Sequence, residues 1–237
     1  MIGRPAILVV AYSARALACS AARAGYAPLA IDVFGDDDTK EASLATVKLD
    51  GGLADGFTPG KLVRAVETLV GAHRPAGLVY GAGFEHLPES LAAISGFTRV
   101  FGNSAATLRA AKDPLALAQL CEANGVRHPR IAFSPPDQPE LWLVKKRGGA
   151  GGAHIAAARR GMPVSADCYY QRRIAGTSVS ALFVAGGGQA DIIGLSMQWT
   201  APTPASPFRY GGAVGPVDVG HAREGEIARS DKRLSLE

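Results

Sequence analysis

The sequence predicts an α/β chain in two parts: a doubly wound parallel sheet over residues 1–103, then an α+β region with an antiparallel sheet over 104–237. Three observations carry that reading. Continuous apolar runs at 6–11, 28–33 and 76–80 suit strands buried on both faces of a parallel sheet. Helix-like segments alternate with those runs, as β-α-β units require. Beyond residue 141 the pattern changes to strands separated by glycine-rich turns, the habit of antiparallel sheets.

Taken in order, Ala6-Ile-Leu-Val-Val-Ala11 is the first strand. Ser13 is placed to cap a helix over Ala14 to Ala24, and Gly25 stands where a C-terminal glycine stops one. Pro28 to Val33 is a second strand, Gly60 to Ala72 a helix, and Ala76 to Tyr80 a third strand. Ligands of such sheets sit beyond the carboxyl ends of the strands. Those ends carry Tyr12-Ser13, Phe34 to Thr39 and Gly81-Ala-Gly-Phe-Glu85. Next, Asn103 or Ser104 can cap a short helix ending near Lys112. Asp113-Pro114 then opens another, with Asp as the cap and Pro at the first helical position, running to Ala123 before Gly125. Ser134 to Pro139 is a turn-rich connection. Leu141 to Lys145 and Cys168 to Ile174 are strands, and Ser178 to Val184 and Ala190 to Trp199 flank a hairpin turn at Ala185 to Gly188.

Composition removes several classes. Of 237 residues, 47% are hydrophobic and 19% charged, which fits a globular core and excludes a disordered chain. A net charge of +4 is too small for the dense basic face of a nucleic-acid binder. Cys19, Cys121 and Cys168 are scattered singly, so neither a disulfide framework nor a zinc cluster is expected. The first apolar run is too short to span a membrane, and no basic segment with a signal-peptide core precedes it. A soluble, cytoplasmic protein is expected. The five histidines show no metal-ligand spacing, and no G-x-S-x-G elbow supports a hydrolase nucleophile. The run Asp36-Asp-Asp38 reads as a solvated turn, with metal binding as the lesser alternative.

One segment stands out chemically. Leu143-Val-Lys-Lys-Arg-Gly-Gly-Ala-Gly-Gly-Ala-His-Ile155 delivers a lysine from a strand into a loop with four glycines: Gly148, Gly149, Gly151 and Gly152. Glycines let backbone N–H groups turn toward an anion, and the ammonium of Lys145 adds compensating charge. The spacing is not that of a Walker loop, and a strand, not a helix, follows near His154. A flap closing over phosphates is one reading; an ordinary glycine-rich hairpin with exposed lysines is the other. Residues 127–173 hold nine Lys or Arg against three acids, which favours a polyanionic ligand or, alternatively, is a solvated basic face. Lys112, at a helix end, is already accounted for by the helix dipole.

In order and spacing these pieces resemble the ATP-grasp superfamily over essentially the whole chain. Ser13-Ala-Arg15 through Ile31-Asp-Val-Phe-Gly-Asp36 is similar to its pre-ATP-grasp domain. Ala111-Lys-Asp113 followed by Gly125-Val-Arg-His-Pro129 resembles its first nucleotide-binding lysine and the entry to the small lobe. Leu143-Val-Lys145 with Gly148 to Gly152 resembles the second lysine and phosphate-covering loop. Tyr170-Gln-Arg-Arg-Ile174 with Gly176 resembles the hinge strand that contacts adenine. Ile193-Gly-Leu and Tyr210 to Pro216 are also similar to a subgroup associated with methanofuran and tetrahydromethanopterin pathways, which includes tyramine–glutamate ligase-like enzymes.

The resemblance implies a carboxylate–amine ligase acting through an acyl phosphate, with ATP as cofactor. It implies ATP contacts at Lys112, Lys145, Gly148, Gly149, Gly151, Gly152, Gln171, Arg172 and Ile174. Tyr12, Ser13, Arg15, Gly81 and Phe84 are then expected at the substrate end. The partners expected are a small carboxylate and an amine, with a second copy of the chain as a further candidate; neither nucleic acid nor membrane is expected. Mg²⁺ belongs to the family's chemistry, yet no Glu-x-Asn pair occurs beyond residue 200, and no metal ligand is assigned. The late acids are Asp218, Glu224, Glu226, Asp231 and Glu237, in a polar tail from Arg223. On that ground the ATP-grasp part is expected to be incomplete and truncated at its end. A non-catalytic ATP-binding protein is the alternative. A Rossmann-like oxidoreductase is disfavoured, because Ala11-Tyr-Ser-Ala-Arg15 lacks the glycines that pyrophosphate approach needs. Lys145→Ala is expected to leave folding almost untouched if the residue serves ATP.

Overall fold

A parallel sheet of β1 (Ala6–Val10), β2 (Ala27–Asp32), β3 (Ala45–Lys48) and β6 (Leu78–Tyr80) opens the chain, in the order β3-β2-β1-β6. The computed structural model describes residues 3–52, 56–85, 87–186, 189–220 and Ile227. Between these strands lie α1 (Arg15–Arg23), α2 (Asp37–Ala42), the small pair β4 (Gly51–Gly52) and β5 (Gly56–Phe57), and α3 (Pro59–His73); α4 (Pro88–Ser95) follows β6. The continuous apolar runs are explained by cover on both faces. Leu8, Val10, Leu29 and Ile31 pack with Leu62, Val66 and Leu69 of α3 and with Leu91 and Ile94 of α4. Ile7, Val9 and Ala30 pack instead with Ala14, Leu17 and Ala21 on the α1 side.

The start of α1 differs from the sequence expectation. Ser13 does not cap it; Ala14 stands at the cap position and supplies no side-chain bond. The missing acceptor comes from across the sheet. Asp32, wholly buried at the end of β2, accepts from Ala14 N–H at 3.3 Å and from Gly35 N–H at 2.8 Å. One carboxylate therefore ties the loop after β1 to the loop after β2.

The segment between β2 and α3 holds more structure than its sequence suggested. Asp36 to Asp38 is a helix start and not a turn: Asp36 caps α2, and Asp37 and Asp38 fill its first turn. Thr39 N–H and the Thr39 hydroxyl both donate to Asp36 Oδ1 at 2.8 Å. These bonds, the backbone one first, hold the Asp36 carboxyl below its ordinary range. A carboxyl depressed by folding adds stability above its unfolded pKa and loses it as pH falls through the folded one. Thr39→Ala removes one donor and should move the Asp36 titration part-way back up, as read by carbon-13 carboxyl NMR. An unmoved titration would exclude the hydroxyl as a donor.

The chain divides into Met1–Ala110 and Ala111–Glu237. This boundary lies beyond the one expected at 103, because α5 (Ala105–Lys112) places Ala105 and Leu108 against the first core and Arg109 pairs with Glu89 at 2.9 Å. Ser104 caps α5 by accepting from Thr107 N–H at 3.1 Å. Asp113 caps α6 (Pro114–Ala123), accepting from Leu115 and Ala116 N–H at 2.9 and 2.8 Å. Losing such a cap costs about 1 kcal/mol. Asp113→Ala should show that loss in chemical denaturation; unchanged stability would mean the cap bonds are replaced by water without cost.

The second unit adds β7 (Ile131–Ala132), a 3₁₀ turn at Pro139–Leu141, β8 (Trp142–Lys146), β9 (Ile155–Ala157) and β10 (Cys168–Arg172), assembled as β7-β10-β8-β9 with every pair antiparallel. A separate antiparallel sheet runs β11 (Val179–Gly186), β12 (Gln189–Thr200), β13 (Tyr210–Val214). A parallel sheet followed by antiparallel sheets is the fold class the sequence indicates. The β11–β12 hairpin lies where expected, though Gly187 and Gly188 of its turn are outside the described residues. So are His86, His221 and the tail acids Glu224, Glu226, Asp231 and Glu237.

Candidate functional site

In β8, side chains alternate between two faces. Trp142 and Val144 point into a small core with Tyr170 and Ala158. Leu143 and Lys145 take the opposite face. Register completes that face: Tyr169 and Ile155 flank Lys145, while Gln171 and Ala157 flank Leu143. The Lys145 ammonium thus stands on a partly apolar floor. Loss of water lowers its pKa, and it forms no ion pair among the described residues. Burial likewise raises the pKa of Tyr169. A half-buried cation without a counter-charge is costly, and an anion bound above it relieves that cost.

The loop from β8 to β9 adds backbone donors. Gly148, Gly151 and Gly152 have φ of +69°, +67° and +77°, values at which a Cβ is strained. At Gly149 a Cβ would collide with the His154 ring, and at Gly152 with the Phe208 carbonyl oxygen. Gly149 N–H is used within the loop, donating to Lys146 O at 3.3 Å. The N–H groups of Gly148, Ala150, Gly151 and Gly152 donate to no acceptor among the described residues. Such a run of unspent donors in left-handed turns is what an oxyanion needs. The far end of the loop is anchored, because Tyr210 N–H donates to Gly151 O at 2.8 Å. Gly152→Ala should therefore cost about 2 kcal/mol, from strain and the clash with Phe208 together. A melting temperature equal to that of the parent would show that residues 208–210 give way.

The expected hinge residues separate. Gln171 shares the Lys145 face, but Arg172 lies on the other one, its guanidinium 5.9 Å from the centre of the Trp142 ring. Arg172 N–H donates to Arg130 O at 2.8 Å and Arg173 N–H to Leu141 O at 2.9 Å, so neither is spare. Ile174 lies beyond the end of β10 and is exposed. The basic excess also divides. Lys146 pairs with Asp167 at 3.5 Å, and Arg147 stacks 5.0 Å from the Phe133 ring centre. Lys112 is the last residue of α5, half-buried, with no described bond joining it to the Lys145 face.

In the first unit, Tyr12, Ser13 and Gly81 meet where the strand order reverses between β1 and β6. Tyr12 N–H donates to Ala82 O at 2.6 Å and Gly81 N–H to Val10 O at 2.9 Å. Gly81 approaches its neighbours closely: a Cβ there would lie 2.9 Å from that of Ala11. Arg15 is exposed and 3.6 Å from Asp38. Phe84 is 1% exposed, wedged with Phe57 and Tyr80, so its ring belongs to the core and not to a surface that a substrate meets. Sequence reading passed over Asp32, whose place as the one acid within the apolar run Pro28 to Val33 was the available signal.

No His, Cys, Asp or Glu group able to hold a metal ion occurs among the described residues. No described helix is long and apolar enough to cross a membrane.

Comparison with known proteins agrees with this architecture. A family described as the ATP-grasp domain matches residues 111–234. None of the curated proteins matches the chain in sequence. Among solved structures, an L-amino acid ligase from Bacillus licheniformis is similar, with a TM-score of 0.69 at 14% identity over 100% of this chain and 61% of that one. An N5-carboxyaminoimidazole synthetase from Staphylococcus aureus complexed with ADP gives 0.68 at 13% identity over 98% of this chain and 64% of that one. A carboxyaminoimidazole ribonucleotide synthase from Aspergillus clavatus complexed with ATP gives 0.69 at 11% identity, covering 99% and 63%. The chain thus spans a little over three fifths of the length of these structures.

Proposed function

Because the chain belongs to the ATP-grasp domain family, we propose that it binds ATP on the Lys145 face and serves an ATP-dependent carboxylate–amine ligation. The observation that carries this is Lys145 itself: a half-buried ammonium without a carboxylate partner among the described residues, at the edge of a loop with four N–H donors that meet no described acceptor. In the reaction, a carboxylate oxygen attacks the γ-phosphorus, giving an acyl phosphate and ADP. An amine then attacks the acyl carbon, phosphate leaves, a C–N bond forms and the nitrogen loses a proton.

Each residue has a separable part. Lys145 and the N–H groups of Gly148, Gly151 and Gly152 hold phosphate oxygens, neutralising charge that grows on them during transfer. The Cβ-free backbone at Gly149 keeps that loop tight against His154. Leu143, Ile155 and Tyr169 supply an apolar floor, with Gln171 adding a hydrogen-bonding amide. Lys112 is assigned as a second phosphate ligand, and the Tyr12, Ser13 and Gly81 loops as the substrate end. No described residue is assigned to magnesium, and no step is routed through the ion. The Lys145 face accounts for binding by itself, so a second reading has ATP bound without being turned over.

ADP release separates the two. Ligation predicts steady-state release that needs a carboxylate and an amine together, with no more than a single turnover of ADP from the carboxylate alone. ATP binding with no ADP formed across panels of amino acids and other small carboxylates supports the second reading; absence of ATP binding ends both.

A further inference from the structure

A cavity of about 460 Å³ lies on the first unit along edge strand β3, reaching the loop after β2 whose Phe34 stands beside Tyr12. Phe34, Gly35, Lys40, Leu44, Thr46 and Lys48 are among the residues that line it. Its chemistry is of two kinds. Lys40 and Lys48 bring positive charge, while Phe34 and Leu44 are 49% and 60% exposed, apolar surface left uncovered.

Four details favour a ligand over plain solvent. The hydroxyl oxygens of Ser43 and Thr46, both lining residues, are buried and without a hydrogen-bond partner. Buried polar atoms normally find partners, and rotation of either side chain about χ1 would be needed to turn its hydroxyl toward an incoming oxyanion, which supplies the missing acceptor. Lys48 lies with its stem against Gly35, 3.1–3.4 Å from where a Cβ would stand, and only a glycine at φ +60° leaves that room. The Lys40 ammonium is held by Asp37 at 2.9 Å in an exposed pair, which a competing anion displaces at little cost. Phe34 is fixed edge-on to Tyr12, with ring centres 5.3 Å apart, so the apolar wall is pre-set.

We infer that this cavity binds a small organic anion, a carboxylate or phosphate carried on an apolar or aromatic body. The anionic end meets Lys48 and Lys40, and the apolar body covers Phe34 and Leu44. The inference is independent of the ATP site, since no residue is shared.

The test uses nitrogen-15-labelled full chain titrated with phenyl phosphate and phenylacetate, with benzyl alcohol and inorganic phosphate as the single-feature probes. Saturable amide shifts within 34–48 are expected with the two aromatic anions, and at least tenfold weaker binding of either single-feature probe at those residues. Lys48→Gln should weaken phenyl phosphate about tenfold, the usual effect of losing one charge-assisted bond. Lys145→Met should leave it unchanged, which separates this site from the nucleotide site. Preference for phenyl phosphate over phenylacetate would assign phosphate as the anion; the reverse would assign carboxylate. Absence of saturable shifts within 34–48, equal binding of benzyl alcohol there, or insensitivity to Lys48→Gln would each overturn the inference.

Discussion

Lys145→Met is expected to weaken ATP binding about 10- to 100-fold while moving unfolding stability by less than about 1 kcal/mol. The two halves of that expectation come from different parts of one side chain. The stem lies among Leu143, Tyr169 and Ile155, and methionine reproduces its apolar reach. The ammonium has no carboxylate partner in the described structure, so removing it breaks no ion pair. Alanine at the same position gives up part of the stem's packing and should be somewhat less stable than methionine. The pH dependence has a definite sign. Burial lowers the folded pKa of Lys145 below the unfolded one, so the unfolded chain holds more protons between the two values. Stability contributed by this residue therefore rises with pH across that window, reaching its full value above the unfolded pKa. Lys145→Met abolishes that rise. Calorimetric ATP titration with parallel chemical denaturation reads both quantities. Unchanged ATP affinity, or a stability loss of several kcal/mol, would make Lys145 a structural residue.

Asp32→Ala is expected to cost about 3 kcal/mol and to loosen two loops at once. Its carboxylate is wholly buried and serves Ala14 N–H, at the start of α1, and Gly35 N–H, after β2. Truncation strands those two donors and leaves a small void; each unsatisfied donor costs about 1–3 kcal/mol. Asp32→Asn retains one carbonyl acceptor and should recover part of the loss. Hydrogen exchange supplies the local reading: faster exchange at Ala14 and Gly35 in Asp32→Ala, with α3 little affected below the global unfolding limit. Equal stability of parent and Asp32→Ala would show that water replaces the carboxylate, and the latch between the loops would be withdrawn.

How far the sequence could be read depended on which interactions were local. The buried parallel strands were legible because β1 and β2 are apolar on both faces. α6 was legible because Asp113 and Pro114 form a start signal within one turn. The cap of α1 was not, since its acceptor comes from Asp32, eighteen residues away. α2 is six residues of mostly charged chain with little periodicity to read, and its cap was mistaken for a turn. At the candidate site, Lys145 and the glycines declared themselves by a strand-then-glycine pattern. The separation of Gln171 from Arg172 onto opposite faces follows from the two-residue period of β10 and was open to the same reasoning. Phe84, by contrast, looked like a loop residue at a strand end until its burial between Phe57 and Tyr80 was visible.

Amide hydrogen exchange of the parent chain with and without ATP tests the central claim most directly. If triphosphate oxygens take the unspent donors above Lys145, exchange slows at Gly148 and Ala150 to Gly152, and slows with it along 143–145 and 169–171. Exchange there that is the same with and without saturating ATP, while another segment becomes protected, would contradict it.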